Sequence, residues 1–144
     1  MLRFCRIIYG TPEYEMVLRF RDEQLRRPLG LTLYDSDLSA DRTDIHLCAR
    51  LDREIVGSLI LSKLDDSTFK IRQVAVREDL RGLGIGRRLL RFGERVARKN
   101  GAHTLVLHGR KTAIGFYEKL GYTAIGGEFY EVGLSHRKMV KELE

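Results

Sequence analysis

Three glycines at alternate positions, Gly82, Gly84 and Gly86, separate a β-branched run ending at Val76 from a helical pattern of Ile85, Leu89, Phe92, Val96 and Ala97. A helix that begins in a glycine loop turns its free backbone N–H groups and the positive end of its dipole into that loop. Glycines let a ligand approach those groups with no Cβ in the way. The chemistry suits an anion, above all a phosphate. Arg81, Arg87 and Arg88 place further positive charge beside it. A Walker loop needs Gly-Lys-Ser/Thr at the helix start, and the chain has Gly86-Arg87-Arg88. A dinucleotide fingerprint counted from Gly82 needs a glycine where Arg87 stands. The pattern that fits is Arg/Gln-x-x-Gly-x-Gly/Ala, met by Arg81-Gly82-Leu83-Gly84-Ile85-Gly86. A glycine turn before an ordinary amphipathic helix is the competing reading of the loop by itself.

A second motif follows, Ala113-Ile114-Gly115-Phe116-Tyr117-Glu118-Lys119-Leu120-Gly121-Tyr122. The two in this order resemble the GNAT acyltransferases: the first is similar to their pyrophosphate loop, the second to their Ala-x-x-Phe-Tyr-x-Lys-x-Gly-Phe/Tyr motif. The resemblance runs from about His46 to the C-terminus. The ending Glu131-Val132-Gly133-Leu134-Ser135-His136-Arg137-Lys138-Met139 is similar to the tail of the ElaA-type branch.

The resemblance implies an acetyl-CoA-dependent N-acetyltransferase, moving acetyl to a primary amine of a small molecule or peptide by direct attack. It implies that Val74, Ala75 and Val76 meet the pantetheine arm through the backbone, with an N–H near Val74 polarising the thioester carbonyl. It implies that Arg81, Gly82, Leu83, Gly84, Ile85, Gly86 and Arg87 hold the pyrophosphate. Tyr117 is then the general acid, a phenol that protonates or stabilises the leaving sulfur. The strand before Val74 offers Lys70, Arg72 and Gln73 and no carboxylate, so the general base is open between Glu131, His136 and a water chain. Arg110 stands where many relatives have an asparagine that meets the pantetheine; an arginine there suits phosphate or solvent. His108 ends its strand beside the expected thioester. A homodimer is implied at the level of the family.

These residues need elements to hold them. Leu2–Tyr9 reads as a strand. Thr11-Pro12 starts a helix with Tyr14, Val17, Leu18, Arg21 and Leu25 on one face, stopped at Pro28. Leu29–Thr43 reads as a polar loop with a short helical turn, placed to border a substrate site. Ile45–Leu51 alternates as a half-buried strand, and Ile55–Leu61 carries Gly57 as a possible bulge. Phe69, Ile71 and Ala75 read as one face of the strand ending at Val76. After the arginine-rich helix come a strand at Thr104–His108, a helix at Lys111–Leu120, and strands at Tyr122–Ile125 and Leu134–Val140. A loop around Gly126-Gly127 and Glu131 joins the last two. The order is that of an α+β (mixed α/β) fold around a twisted mixed sheet, with the strands at Val76 and Thr104 parallel.

The 144 residues suffice for one domain, Met1 to Glu144, and a composition 43% hydrophobic and 32% charged is that of a folded chain. No apolar run approaches the roughly 18 residues of a membrane span, and the N-terminus does not read as a signal peptide, so the expectation is a cytoplasmic protein with no membrane partner. Cys5 and Cys48 read as reduced thiols, and the four histidines show no metal-ligand spacing with them, so no metal is expected. The net charge of +6 favours anionic partners, a phosphorylated cofactor or a nucleic acid. No aromatic-interleaved RNA signature or helix-turn-helix pattern supports the nucleic acid. The readings left against the enzyme are a CoA-binding regulatory domain without turnover and a basic nucleic-acid-binding module.

Overall fold

The computed structural model describes residues 1–144. After strand β1 (Leu2–Ile7) the Thr11 hydroxyl accepts the Tyr14 N–H at 3.2 Å, and Pro12 opens helix α1 (Pro12–Leu25). The following loop holds three 3₁₀ turns, at Arg27–Leu29, Leu33–Asp35 and Ser39–Arg42. Then come β2 (Ile45–Leu51), β3 (Glu54–Lys63), β4 (Thr68–Val76), α2 (Ile85–Lys99), β5 (Thr104–Arg110), α3 (Ile114–Lys119), β6 (Thr123–Glu131) and β7 (Leu134–Glu142). They form one seven-stranded sheet in the order β1-β2-β3-β4-β5-β7-β6. Only β4 and β5, joined through α2, are parallel, as the crossover requires. No helix is long and apolar enough to cross a membrane.

Each face of the sheet buries one apolar stripe. On one face α1 packs Tyr14, Val17, Leu18 and Leu25 against Ile7, Cys48, Ile55 and Ala75. On the other, α2 and α3 pack Ile85, Leu89, Leu90, Tyr117 and Leu120 against Leu47, Leu59, Phe69, Ile71, Leu105 and Leu107. Gly57 lets α2 approach: a Cβ there would lie 3.3 Å from a Leu89 methyl. The β2–β3 register shifts beside it, between Ala49 and Arg50, so the expected irregularity is real.

The reading that put Phe69, Ile71 and Ala75 on one face is overturned. Phe69 and Ile71 pack with α2, but Ala75 packs with α1. The cause is a bulge. Ser58 pairs with Ala75 and Ile60 with Arg72, so one residue of β3 opposes two of β4, and Gln73 takes a left-handed φ of 51°. An extra residue inverts the alternation of everything beyond it.

A buried polar network holds the bulge. Arg21, fully buried on α1, donates Nε to the Gln73 side-chain oxygen at 2.7 Å and Nη1 to Asp41 at 2.9 Å. Asp41 also accepts the Tyr14 hydroxyl at 2.5 Å. Burial opposes its charge, but the Tyr14 and Arg21 hydrogen bonds prevail and hold its carboxyl below the usual range. His46 joins its Nε2 to the Asp41 carbonyl at 2.8 Å, and burial depresses its basicity.

The C-terminal hairpin also departs from expectation. β6 runs through Gly126 and Gly127 as a register shift between Ile125 and Phe129, and the turn is Val132–Gly133, both at positive φ. Glu131 is therefore the last residue of a strand, paired with Leu134.

Arg21→Ala leaves Asp41 buried without its cation, and chemical denaturation is expected to show a loss of about 3–5 kcal/mol; a loss under about 1 kcal/mol contradicts the network. His46 is held neutral in the fold, so the stability it contributes is present above pH 6.5, its ordinary value, and is lost as pH falls below it. Denaturation between pH 7 and 5 should show that slope, and His46→Gln should flatten it; an unchanged slope in the variant contradicts the assignment.

Candidate functional site

β4 and β5 pair from Thr68 with Thr104 to Ile71 with Leu107, and no further. Beyond that point β4 pairs only with β3 and β5 only with β7, so the sheet opens at its centre. The bulge at Gln73 lies where the opening begins. The Arg77 N–H donates to Val56 at 2.8 Å, so in this register Ala75 and Arg77 turn their polar groups to β3. Those of Val74 and Val76 face the gap, where the Val76 carbonyl accepts the Arg81 Nε at 3.3 Å.

The gap is one end of a cavity of about 830 Å³. The other end is the start of α2. Gly84 is its N-cap, in the left-handed region at φ 86°, with no side-chain cap. The first intrahelical bond there runs from Arg88 N–H to Gly84 at 3.1 Å, which leaves the N–H groups of Ile85, Gly86 and Arg87 free. At Gly82 and Gly84 a Cβ would meet nothing within 4 Å, so the positive φ, not space, calls for glycine.

Of the residues singled out in the sequence, Val74, Ala75, Val76, Arg81, Gly82, Gly84, Gly86, Arg87 and Tyr117 line this cavity. Leu83 and Ile85 do not: Leu83 is 69% exposed and Ile85 is in the core under α2, so only their backbone can serve the loop. Arg88 lies over the Phe4 ring at 5.1 Å, away from the loop. Arg77, bound to Glu54 and Asp79 at 2.7 Å each, is neutralised by them.

Tyr117 is 8% exposed, edge-on to Phe116 and Tyr122. Its hydroxyl has no hydrogen-bond partner within the protein. Burial pushes its pKa up to about 12 against the pull of Arg110. Gly109 makes room for it, since a Cβ there would lie 3.3 Å from the Tyr117 ring.

His108 and Arg110 alternate with Leu107 and Gly109 along β5, so they lie on the α1 side of the sheet, opposite Tyr117. Beside them are Glu131 and His136. His136 is buried, with Nδ1 2.8 Å from the Leu134 carbonyl. A carbonyl only accepts, so Nδ1 carries a proton, and the neutral tautomer compatible with this bond has its lone pair on Nε2. Glu131 is bound to His108 Nδ1 at 3.0 Å. This pairing was not legible in the sequence, nor was the presence of Gln24 and Arg26 in the lining; Lys70, Arg72 and Gln73, which the strand before Val74 offered, are there too. No group of three or more His, Cys, Asp and Glu side chains gathers where a metal could be held.

The arrangement can hold an anion at the helix start, an extended chain along Val74–Val76, and a reacting centre between Tyr117 and the His108–Glu131–His136 end. The profile of the acetyltransferase (GNAT) family matches residues 11–122. YyaT of Bacillus subtilis, an uncharacterized protein, is 34% identical over 76 residues, 53% of this chain and 51% of that one. The chain thus spans about half the length of the curated relatives it matches. The crystal structure of Escherichia coli ElaA superposes with a TM-score of 0.85 at 20% identity, over 99% of this chain and 100% of the other. A GNAT family acetyltransferase from Elizabethkingia anophelis, solved with acetyl-CoA bound, gives 0.70 at 21%, over 99% and 98%. The fold is that of the GNAT acyltransferases, as the two motifs implied.

Gly84→Glu forces a side chain onto a left-handed backbone and brings negative charge to the free N–H groups. Calorimetry is expected to show loss of acetyl-CoA binding in this variant; parental affinity in a folded variant contradicts the site.

Proposed function

We propose that this chain, which belongs to the GNAT family, is an N-acetyltransferase that moves acetyl from acetyl-CoA to a primary amine by direct attack. One observation carries the reading: the opened strand pair, the uncapped start of α2 and the unpartnered Tyr117 hydroxyl all meet in a single cavity. The fit to the donor follows from the same features. Free N–H groups of the α2 start, with Arg81 and Arg87, suit a pyrophosphate. The backbone of Val74 and Val76 suits the amides of a pantetheine arm.

Acetyl-CoA supplies an acetyl group activated as a thioester. The Val74 N–H, facing the gap, stabilises negative charge developing on the carbonyl oxygen. His136 Nε2 takes the proton that the amine nitrogen loses as it gains its bond to carbon. The Tyr117 hydroxyl serves the sulfur as the carbon–sulfur bond breaks. A phenol near 12 remains protonated at neutral pH, and a thiolate of pKa about 8.5 is too weak a base to take its proton outright. Tyr117 therefore acts first as a hydrogen-bond donor, and Arg110 eases whatever proton transfer follows by steadying the phenolate.

The two sides of the sheet divide the work. Tyr117 reaches the gap from the α2–α3 side, and the acceptor end lies on the α1 side. Direct attack needs the amine to reach one face of the planar carbonyl and the sulfur to stay within reach of Tyr117 as the tetrahedral adduct collapses. Entry of the amine from the α1 side leaves Tyr117 free for the sulfur.

Tyr117→Phe removes only a hydroxyl without a protein partner, so the variant should fold and keep its thermal shift with acetyl-CoA. Its turnover on an amine substrate, read as thiol release, should fall by about 10²–10⁴. Turnover equal to the parent's removes Tyr117 from the reaction.

A further inference from the structure

The charges at the acceptor end do not balance. The cavity lining carries Arg26, Lys70, Arg72 and Arg110 away from the pyrophosphate loop, and one carboxylate, Glu131. Arg72 is neutralised outside the cavity by Asp44 at 2.7 Å. The other three cations have no ion-pair partner. Arg26 reaches only its neighbour's carbonyl, Leu25, at 3.3 Å, and Lys70 and Arg110 make no side-chain hydrogen bond. All three are half-buried.

They come from three separate elements: Arg26 from the end of α1, Lys70 from β4 and Arg110 from the end of β5. Half-burial without a partner is costly for a cation, and the cost shows. Desolvation, then the nearby charge of Arg110, pulls the Arg26 guanidinium below its ordinary pKa; Lys70 is lowered by burial and then by Arg72. Glu131 opposes both shifts and is already engaged by His108. A surface cation can turn to solvent at no cost. Three held inward around a cavity await an anion.

We propose that the acceptor is an amine that also carries an anionic group, a carboxylate or a phosphate, bound by Arg26, Lys70 and Arg110. The inference rests on the acetyl-transfer reading and names the class of its acceptor. The three cations bind the anion, and Glu131, the one carboxylate of the lining, keeps its second oxygen for the amine beside its bond to His108. A polyamine finds one carboxylate and three like charges. A neutral amine leaves the three cations unpaired.

The test compares four small amines as acceptors: β-alanine, phosphoethanolamine, ethanolamine and 1,3-diaminopropane, with thiol release from acetyl-CoA as the readout. An anionic amine is expected to exceed ethanolamine in kcat/KM by at least about tenfold, with the diamine lowest. β-Alanine against phosphoethanolamine tells carboxylate from phosphate. Arg26→Glu with Lys70→Glu should cut the anionic preference at least about tenfold, mainly through KM. Calorimetry on CoA-loaded protein should show anionic amine binding that this double variant loses. Equal or better use of ethanolamine or the diamine by the parent overturns the inference and leaves acetyl transfer standing. So does loss of acetyl-CoA affinity in the double variant, which would assign these cations to the donor. No thiol release with these four or across a broad panel of amines and peptides, while acetyl-CoA still raises the melting temperature, overturns acetyl transfer. Calorimetry then decides the inference separately: anionic amine binding that the double variant loses supports it, and no binding overturns it.

Discussion

A guanidinium with no exposure to water sets the shape of this site. Arg21 sits between the Asp41 carboxylate and the Gln73 amide, and Gln73 is the residue whose left-handed backbone makes the bulge in β4. A non-glycine residue in that region costs of order 1–3 kcal/mol, and it persists only where its surroundings hold it. The hydrogen bond from Arg21 and the packing of α1 on Ala75 do so here. At the bulge β4 ceases to run beside β5. Without the opening, the polar groups of Val74 and Val76 would meet a neighbouring strand. With it, they face a cavity.

The opening also lets groups from both faces of the sheet line one cavity. α2 brings free N–H groups to one end, and α3 brings Tyr117 to the gap from the same side. The end of α1 and the β6–β7 hairpin supply Arg26, Glu131 and His136 from the other. In an unbroken sheet these groups would be separated by a layer of backbone. Small residues set the distances: Gly109 admits the Tyr117 ring, and Gly86 lies against Phe116, where a Cβ would be 3.3 Å from the ring.

What could be read from the sequence was what is local. Positive-φ glycines before an amphipathic helix announce themselves in a few residues, and so does Thr11-Pro12 as a helix start. The bulge was missed because Phe69, Ile71 and Ala75 all stand at odd positions; its one mark is the adjacent polar pair Arg72-Gln73, with Gln73 where a simple alternation would put an apolar residue. The hairpin turn was hidden by a stronger cue: Gly126-Gly127 looks more like a turn than Val132-Gly133, yet the strand runs through it. The charge balance of the cavity was out of reach for another reason. Lys70, Arg110 and Glu131 could be singled out in the sequence, but Arg26 could not, and only the folded chain shows that the three cations lack an ion-pair partner.

The most direct measurement is residue-resolved amide hydrogen exchange with and without acetyl-CoA. New protection is expected at Val74 and Val76 and at Ile85, Gly86 and Arg87, the N–H groups that face the gap and the start of α2. The Arg77 N–H, already bonded to Val56, should change little. Saturating acetyl-CoA that leaves these five amides unchanged, or protects a different surface, would contradict the claim that the opened strand pair and the uncapped helix hold the donor.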